Sequence, residues 1–184
     1  GLRLTSHAGE WCGAESVWET LRDLRVERIG HGVHSINDPK LVEHLAETGV
    51  ALEINPGSNV ALGVYPSWID HPMKKLRDAG VKVTVSTDDP PFFNTTMTRE
   101  FEELESAYGW GAEDFKLLNE TALEVAFCDL DTKEVIAKRS VSLGLNESNP
   151  ISNPTHNELV QKLYSDELTE LLHTTYSQKE FTKE

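Results

Sequence analysis

Apolar residues in the first ninety positions follow two alternating rhythms. Short β-rich runs read "LRLTS" at 2–6, "VERIG" at 26–30, "VALEI" at 50–54 and "VKVTV" at 81–85, so their starts step by 24, 24 and 31 residues. Between these runs the apolar positions recur at helical spacing. Val17, Leu21 and Leu24 stand at i, i+4 and i+7, which is one face of a helix. The next helix carries its own punctuation. Asp38 can cap it, Pro39 suits its first turn, Leu41 and Leu45 form the apolar stripe, and Gly49 stands at its end. The stretch "HPMKKLRDAG" repeats the scheme with Pro72, Met73, Leu76 and Gly80. Strand and helix in regular alternation predict a parallel α/β sheet or barrel. The helices are needed because parallel strands cannot be joined by a tight hairpin.

Downstream the pattern turns helical. Phe101, Leu104 and Tyr108 predict a helix opened by Thr98, a second helix covers Ala112 to Phe127, and residues 131–139 continue helical. "SLGLNESNPISNPTHNE" is rich in Ser, Asn, Pro and Gly and reads as a loop or linker. Val160, Tyr164, Leu168 and Leu172 then fall four apart, widened by Leu163 and Leu171, and predict a terminal helix. The expected division is a barrel portion over 1–140 and a linker with a helical segment over 141–184.

Composition narrows the classes of function. The chain has 184 residues, 38% hydrophobic and 26% charged, with a formal net charge of -14. Such an acidic surface argues against binding nucleic acid or an anionic membrane through a basic patch. No run of 18 apolar residues offers a membrane span. The two cysteines, Cys12 and Cys128, form no CxxC pair, which fits a reduced cytoplasmic protein. The chain opens "GLRLTSHAGE" without Met, and the expectation is a piece cut from something longer.

The candidate chemistry lies where the strands end. The first run leads into "SHAGE", the second into "GHGVH", the third into "NPGSN" and the fourth into "STDDP". The carboxyl edge of a parallel sheet is where sites are built. Taken singly, each residue has an ordinary reading. A histidine at a strand end is usually solvated, Glu10 suits a helix start, and Asp88 can cap a turn. Jointly, His7, Glu10, His31, Asp88 and Asp89 share one edge. Imidazole nitrogen with carboxylate oxygen suits a divalent ion such as zinc, and a carboxylate that is not a ligand can move protons. His34 reads as a loop residue, His44 and His71 as structural or solvated, and His156 and His173 as tail residues without a visible partner. Cys12 reads as a small buried apolar residue. "GSN" at 57–59 is a poor match to a phosphate loop, and the N-x-S/T patterns at Asn94, Asn119 and Asn146 read as chance.

Taken in order, "SHAGE", "RIGHG", "NPGSN" and "STDDPPFF" resemble the adenosine deaminase family of the metal-dependent amidohydrolases, over about residues 1 to 140. The resemblance implies a (β/α)8 TIM-type barrel, of which this chain holds strands five to eight. It implies one Zn2+ ion, held by His7 and Asp88. Glu10 would carry protons to the purine ring nitrogen N1, His31 would orient the attacking water, and Asp89 would hold the purine at N7. Members of the family carry a His-x-His pair on their first strand, and this sequence has none. The expected partners are therefore a small aminopurine and a missing amino-terminal half of the barrel. Adenosine, with deoxyadenosine, is the first substrate expectation and the free base adenine the alternative. From another class, the chain would be a non-catalytic barrel fragment used in assembly.

Overall fold

The computed structural model describes residues 1–142. Four strands, β1 (Thr5–Ala8), β2 (Arg28–His31), β3 (Ala51–Ile54) and β4 (Val83–Val85), form one sheet in the order β1-β2-β3-β4. Every pairing is parallel. Each of the first three strands is therefore followed by a crossover that returns the chain to the same end of the sheet. The expected α/β class and parallel sheet are both present.

The helices cover the sheet and supply its turns. α1 (Ala14–Leu24), α2 (Pro39–Thr48), α3 (Pro56–Ala61) and α4 (Met73–Asp78) lie between successive strands, with a 3-10 turn at Val33–Asn37. After β4 come α5 (Pro90–Phe93), α6 (Met97–Tyr108), α7 (Ala112–Val125) and α8 (Leu130–Ser142). The expected cap of α2 is in place. Asp38 accepts from Lys40 N at 3.0 Å and from Trp18 Nε1 at 2.9 Å, which ties α1 to α2. Gly49 ends the helix, as its sequence position suggested.

Several boundaries differ from the sequence reading, and three of them have a clear local reason. β1 starts at Thr5 rather than Leu2, because its pairing with β2 begins at Thr5 opposite Arg28. Leu2 and Leu4 are left exposed at 94% and 47%. α6 is opened by Thr96, whose Oγ1 accepts from Arg99 N at 3.2 Å, so Thr98 lies inside the first turn. α7 ends at Val125 instead of Phe127, since Ala126 turns to ψ 144. The Phe127 ring sits under the guanidinium groups of Arg28 and Arg3, at 3.5 and 4.4 Å. The terminal helix expected around Val160–Leu172, His156, His173 and Asn146 all lie outside the described residues.

The core is the layer between strands and helices. Ile29, Leu52 and Ile54 from the sheet meet Val17, Leu41, Leu45, Met73, Leu76 and Leu104 from the helices, all fully buried. β1 alternates exposed and half-buried positions, whereas three of the four residues of β2 are buried. β1 and β4 are the two edges of the sheet among the described residues. The compact unit that holds the sheet runs Gly1–Lys133, and 134–142, the remainder of α8, belongs to a second.

Gly32 joins β2 to the 3-10 turn in a left-handed conformation, φ 66. A Cβ there would come within 2.5 Å of Leu52 Cδ2. Strain and overpacking act together at that position. Gly32→Ala is expected to destabilise the fold by about 1–3 kcal/mol, read as a lower urea midpoint. An unchanged midpoint would show that the turn and Leu52 yield without cost.

Candidate functional site

The site is built by the register of the parallel strands. His7 pairs with Gly30, and Ala8 with His31. Gly30 is what lets the His7 imidazole lie across β2, because a Cβ there would stand 2.3 Å from His7 Cδ2. The His7 and His31 rings consequently meet edge to face, with centroids 5.1 Å apart. Glu10 follows β1 on the turn toward α1 and brings Oε2 to 3.6 Å from His31 Nε2. Ligand atoms of His7, Glu10 and His31 all lie within 4.8 Å of one another.

Asp88 approaches the same ring from the far edge of the sheet. Its Oδ2 lies 3.6 Å from His31 Nε2 and accepts from Ser58 Oγ at 2.7 Å. The doublet "DD" falls beyond β4, in the turn before α5. Its two residues therefore diverge through the backbone turn, with Asp88 at φ 58, and not through the alternation of a strand. His31 likewise has a positive φ of 62. Such values are uncommon for residues other than glycine and cluster where function holds the backbone in place. Asp89 is exposed, and its carbonyl accepts from Phe92 N and Phe93 N at the start of α5. The structure thus gathers His7, Glu10, Asp88 and His31, while the Asp89 side chain enters none of these contacts.

His31 is the electrostatic centre. It is 1% exposed. Burial pushes its imidazole below the ordinary value, Glu10 and Asp88 oppose that shift, and His7 adds to it. On the other side of the ring Asn59 Nδ2 lies 3.2 Å from Nδ1. Asn59 Oδ1 in turn lies 3.1 Å from His71 Nε2, and His71 Nδ1 accepts from Met73 N at 3.2 Å. Asn59 and His71 are themselves buried. Burial drives the His71 imidazole down to about 3, with the nearby His31 adding to the effect.

Several of these residues escaped the sequence reading. "NPGSN" opens α3, and its Ser58 and Asn59 hold site side chains rather than forming a phosphate loop. Glu100 of α6 is fully buried, accepting from Gly57 N at 2.9 Å and Thr95 Oγ1 at 2.7 Å. Burial raises its carboxyl above the ordinary value against the pull of those two donors. It pins α3 to the loop that follows Asp88. His71 is structural, as one of its two expected readings had it. Cys12 is exposed rather than buried, because the turn after Glu10 keeps it at the surface. His34 lies in the 3-10 turn, 3.2 Å from Asn37 Nδ2, and the His44 ring packs tilted against Trp18 across α1 and α2. Among the described residues no helix is long and apolar enough to cross a membrane.

Four parallel strands with histidines and carboxylates gathered at their carboxyl ends define part of a TIM-type barrel of the amidohydrolase class. The family model described as "Adenosine deaminase" matches residues 1–142, and the chain belongs to that family. The adenine deaminase of Rhizobium johnstonii is 50% identical over 139 residues, 76% of this chain and 43% of the relative. That of Agrobacterium fabrum is 50% identical over the same shares. The crystal structure of adenine deaminase from Arthrobacter aurescens matches with a TM-score of 0.74 at 31% identity, covering 77% of this chain and 43% of that one. A zinc-bound amidohydrolase from Burkholderia ambifaria matches with a TM-score of 0.69 at 27% identity, covering 90% of this chain and 43% of that one. The chain thus spans less than half the length of the relatives it matches.

The His71 shift has a consequence for stability. An unfolded histidine titrates near 6.5, whereas His71 in the fold titrates at about 3. Between those values the unfolded chain binds the extra proton, so its share of stability is present above about 6.5 and is lost as the pH falls toward 3. The urea midpoint is expected to drop over this window, and to drop less in His71→Gln. Equal slopes in the two proteins would contradict a neutral buried imidazole.

Proposed function

We propose that this chain supplies the carboxyl-terminal half of a barrel hydrolase that replaces the 6-amino group of an aminopurine with oxygen. The observation that carries the reading is the meeting of His7, Glu10 and Asp88 around the His31 ring at the carboxyl edge of the sheet. Adenine is the preferred substrate. Curated relatives 48–50% identical to this chain bear the name adenine deaminase, which supports the free base over the adenosine that the sequence reading ranked first. Adenosine remains the second reading, on the match to the family model described as "Adenosine deaminase".

The donor set suits a divalent ion, since imidazole nitrogen and carboxylate oxygen of His7, Glu10 and His31 converge within reach of one centre, with Asp88 beside them 3.6 Å from His31 Nε2. His7 and Asp88 would hold one zinc ion, with further ligands coming from the missing half. When bound, such an ion would lower the pKa of water toward about 7. The protein's own groups do the rest. His31 Nε2 faces the two carboxylates and orients the water for attack on C6. The water oxygen bonds to C6, the C6–N bond breaks and ammonia leaves. Of the two water protons, one ends on ring N1 and the other on the departing ammonia. Glu10 carries both, the work of a general base and then a general acid. Asp89, exposed in the turn after β4, would hold the purine at N7.

The test uses the complete protein, with zinc content measured and the fall in ultraviolet absorbance followed for adenine and adenosine separately. Adenine is expected to turn over faster, with one zinc per chain. Glu10→Gln is expected to lower kcat by about 10²–10⁴-fold while zinc content stays at the parent value. Faster turnover of adenosine would select the second reading, and turnover of neither would remove the proposal. Retained turnover in Glu10→Gln would exclude Glu10 as the proton carrier.

A further inference from the structure

We propose that Asn59 and His71 are positioning residues that fix the His31 imidazole as its Nε2–H tautomer. His31 then meets the reacting water as a hydrogen-bond donor and not as a base. This deepens the functional reading above and rests on it only for the presence of that water.

The inference follows from donor and acceptor logic along one buried chain of contacts. A main-chain N–H can only donate. Met73 N lies 3.2 Å from His71 Nδ1, so Nδ1 accepts and carries no proton. The His71 proton is therefore on Nε2, which lies 3.1 Å from Asn59 Oδ1 and donates to it. That contact orients the amide, whose NH2 end must point the other way. Asn59 Nδ2 lies 3.2 Å from His31 Nδ1 and donates to it. His31 Nδ1 is then an acceptor, and its proton resides on Nε2. That nitrogen stands 3.6 Å from both Glu10 Oε2 and Asp88 Oδ2.

Each link is protected from water. Exposure is 2% at His71, 0% at Asn59 and 1% at His31. A reversed relay would set Asn59 Nδ2 against the N–H of His71 Nε2, leaving two buried donors facing each other. Leaving a buried polar group unsatisfied costs about 1–3 kcal/mol. A second amide, Asn55 Nδ2, lies 3.4 Å from each ring nitrogen of His31 and 3.4 Å from Glu53 O. Standing equally far from both nitrogens, it favours neither, so the shorter Asn59 contact sets the direction. The opposite tautomer would turn an Nε2 lone pair toward two carboxylates. With the proton on Nε2, the ring offers them and a water between them a donor, and the proton-accepting role falls to Glu10.

The test reads the tautomer itself and does not depend on turnover. It uses 15N-histidine spectra of the chain at about pH 8, above the ordinary imidazole range, without added metal. His31 and His71 are each expected to show an unprotonated Nδ1 and a protonated Nε2. A protonated Nδ1 on either ring would overturn the proposal, whatever becomes of the deaminase reading. His71→Gln keeps an acceptor for Met73 N and a donor for Asn59 Oδ1, and is expected to leave the His31 signals unchanged. His71→Leu removes that donor and frees the Asn59 amide to turn, so the two His31 nitrogens are expected to shift toward an average of both tautomers. Unchanged His31 signals in His71→Leu would show that Glu10 and Asp88 alone hold the proton and would sink the relay. Should His71→Leu fail to fold, Asn59→Asp supplies the same decision. Its carboxylate is expected to draw the proton to Nδ1, and an unmoved proton counts against the relay.

Discussion

The site depends on one close approach: the His7 imidazole crossing the bare backbone of Gly30. Parallel register sets these two residues opposite each other and puts His31 one step further along. Without a side chain at position 30, the ring of the edge strand can reach the ring of its neighbour. The sheet does not merely display these residues on a common edge. It brings two imidazoles from adjacent strands into contact, with centroids 5.1 Å apart, and the carboxylates arrive from the turns on either side.

Those turns are held in conformations the chain would not adopt unaided. His31 and Asp88 both have positive φ, a cost met only where surroundings over-determine the backbone. The surroundings are identifiable. Ser58 donates to Asp88, Asn59 bonds His31, and Glu100 pins Gly57 at the start of the same short helix. α3 is thus a bracket between the second and fourth strand ends. Tyr108 Oη donates to His71 O at 2.7 Å and anchors the far end of the bracket's own support.

Much of the framework was legible because it obeys local rules. The 24-residue spacing of apolar runs, the Asp38 cap and the Pro39 start each report a backbone need that one or two residues satisfy. The positions of His7, Glu10, His31 and Asp88 were legible for the same reason: a polar residue at the end of an apolar run can only sit at the strand's edge. What escaped notice depends on contacts between distant positions. His71 looks like any histidine before a Pro until Asn59 and Met73 are brought beside it. Glu100 reads as one acid among many on α6, and only tertiary packing makes it the buried acceptor for Gly57 N. The Thr96 cap was missed by two residues because Thr95, Thr96 and Thr98 offer the same chemistry, and only φ and ψ separate them.

The distribution of support across the sheet bears on what half a barrel can do. The groups that orient His31 and Asp88 all come from this chain, from β2 through α6, and most of them are buried. The edge-strand side of the cluster is less provided for. His7 lies on an exposed edge strand, beside Gly30, His31 and Glu10. Two carboxylates stand 3.6 Å from one imidazole whose burial disfavours the charge that would balance them. Like charges so placed repel unless a cation or a proton lies between them. The orienting layer thus lies within these residues. On the proposed reading, one half of the barrel would hold its reacting groups in place in advance, and closure of the barrel would add the remaining ligands.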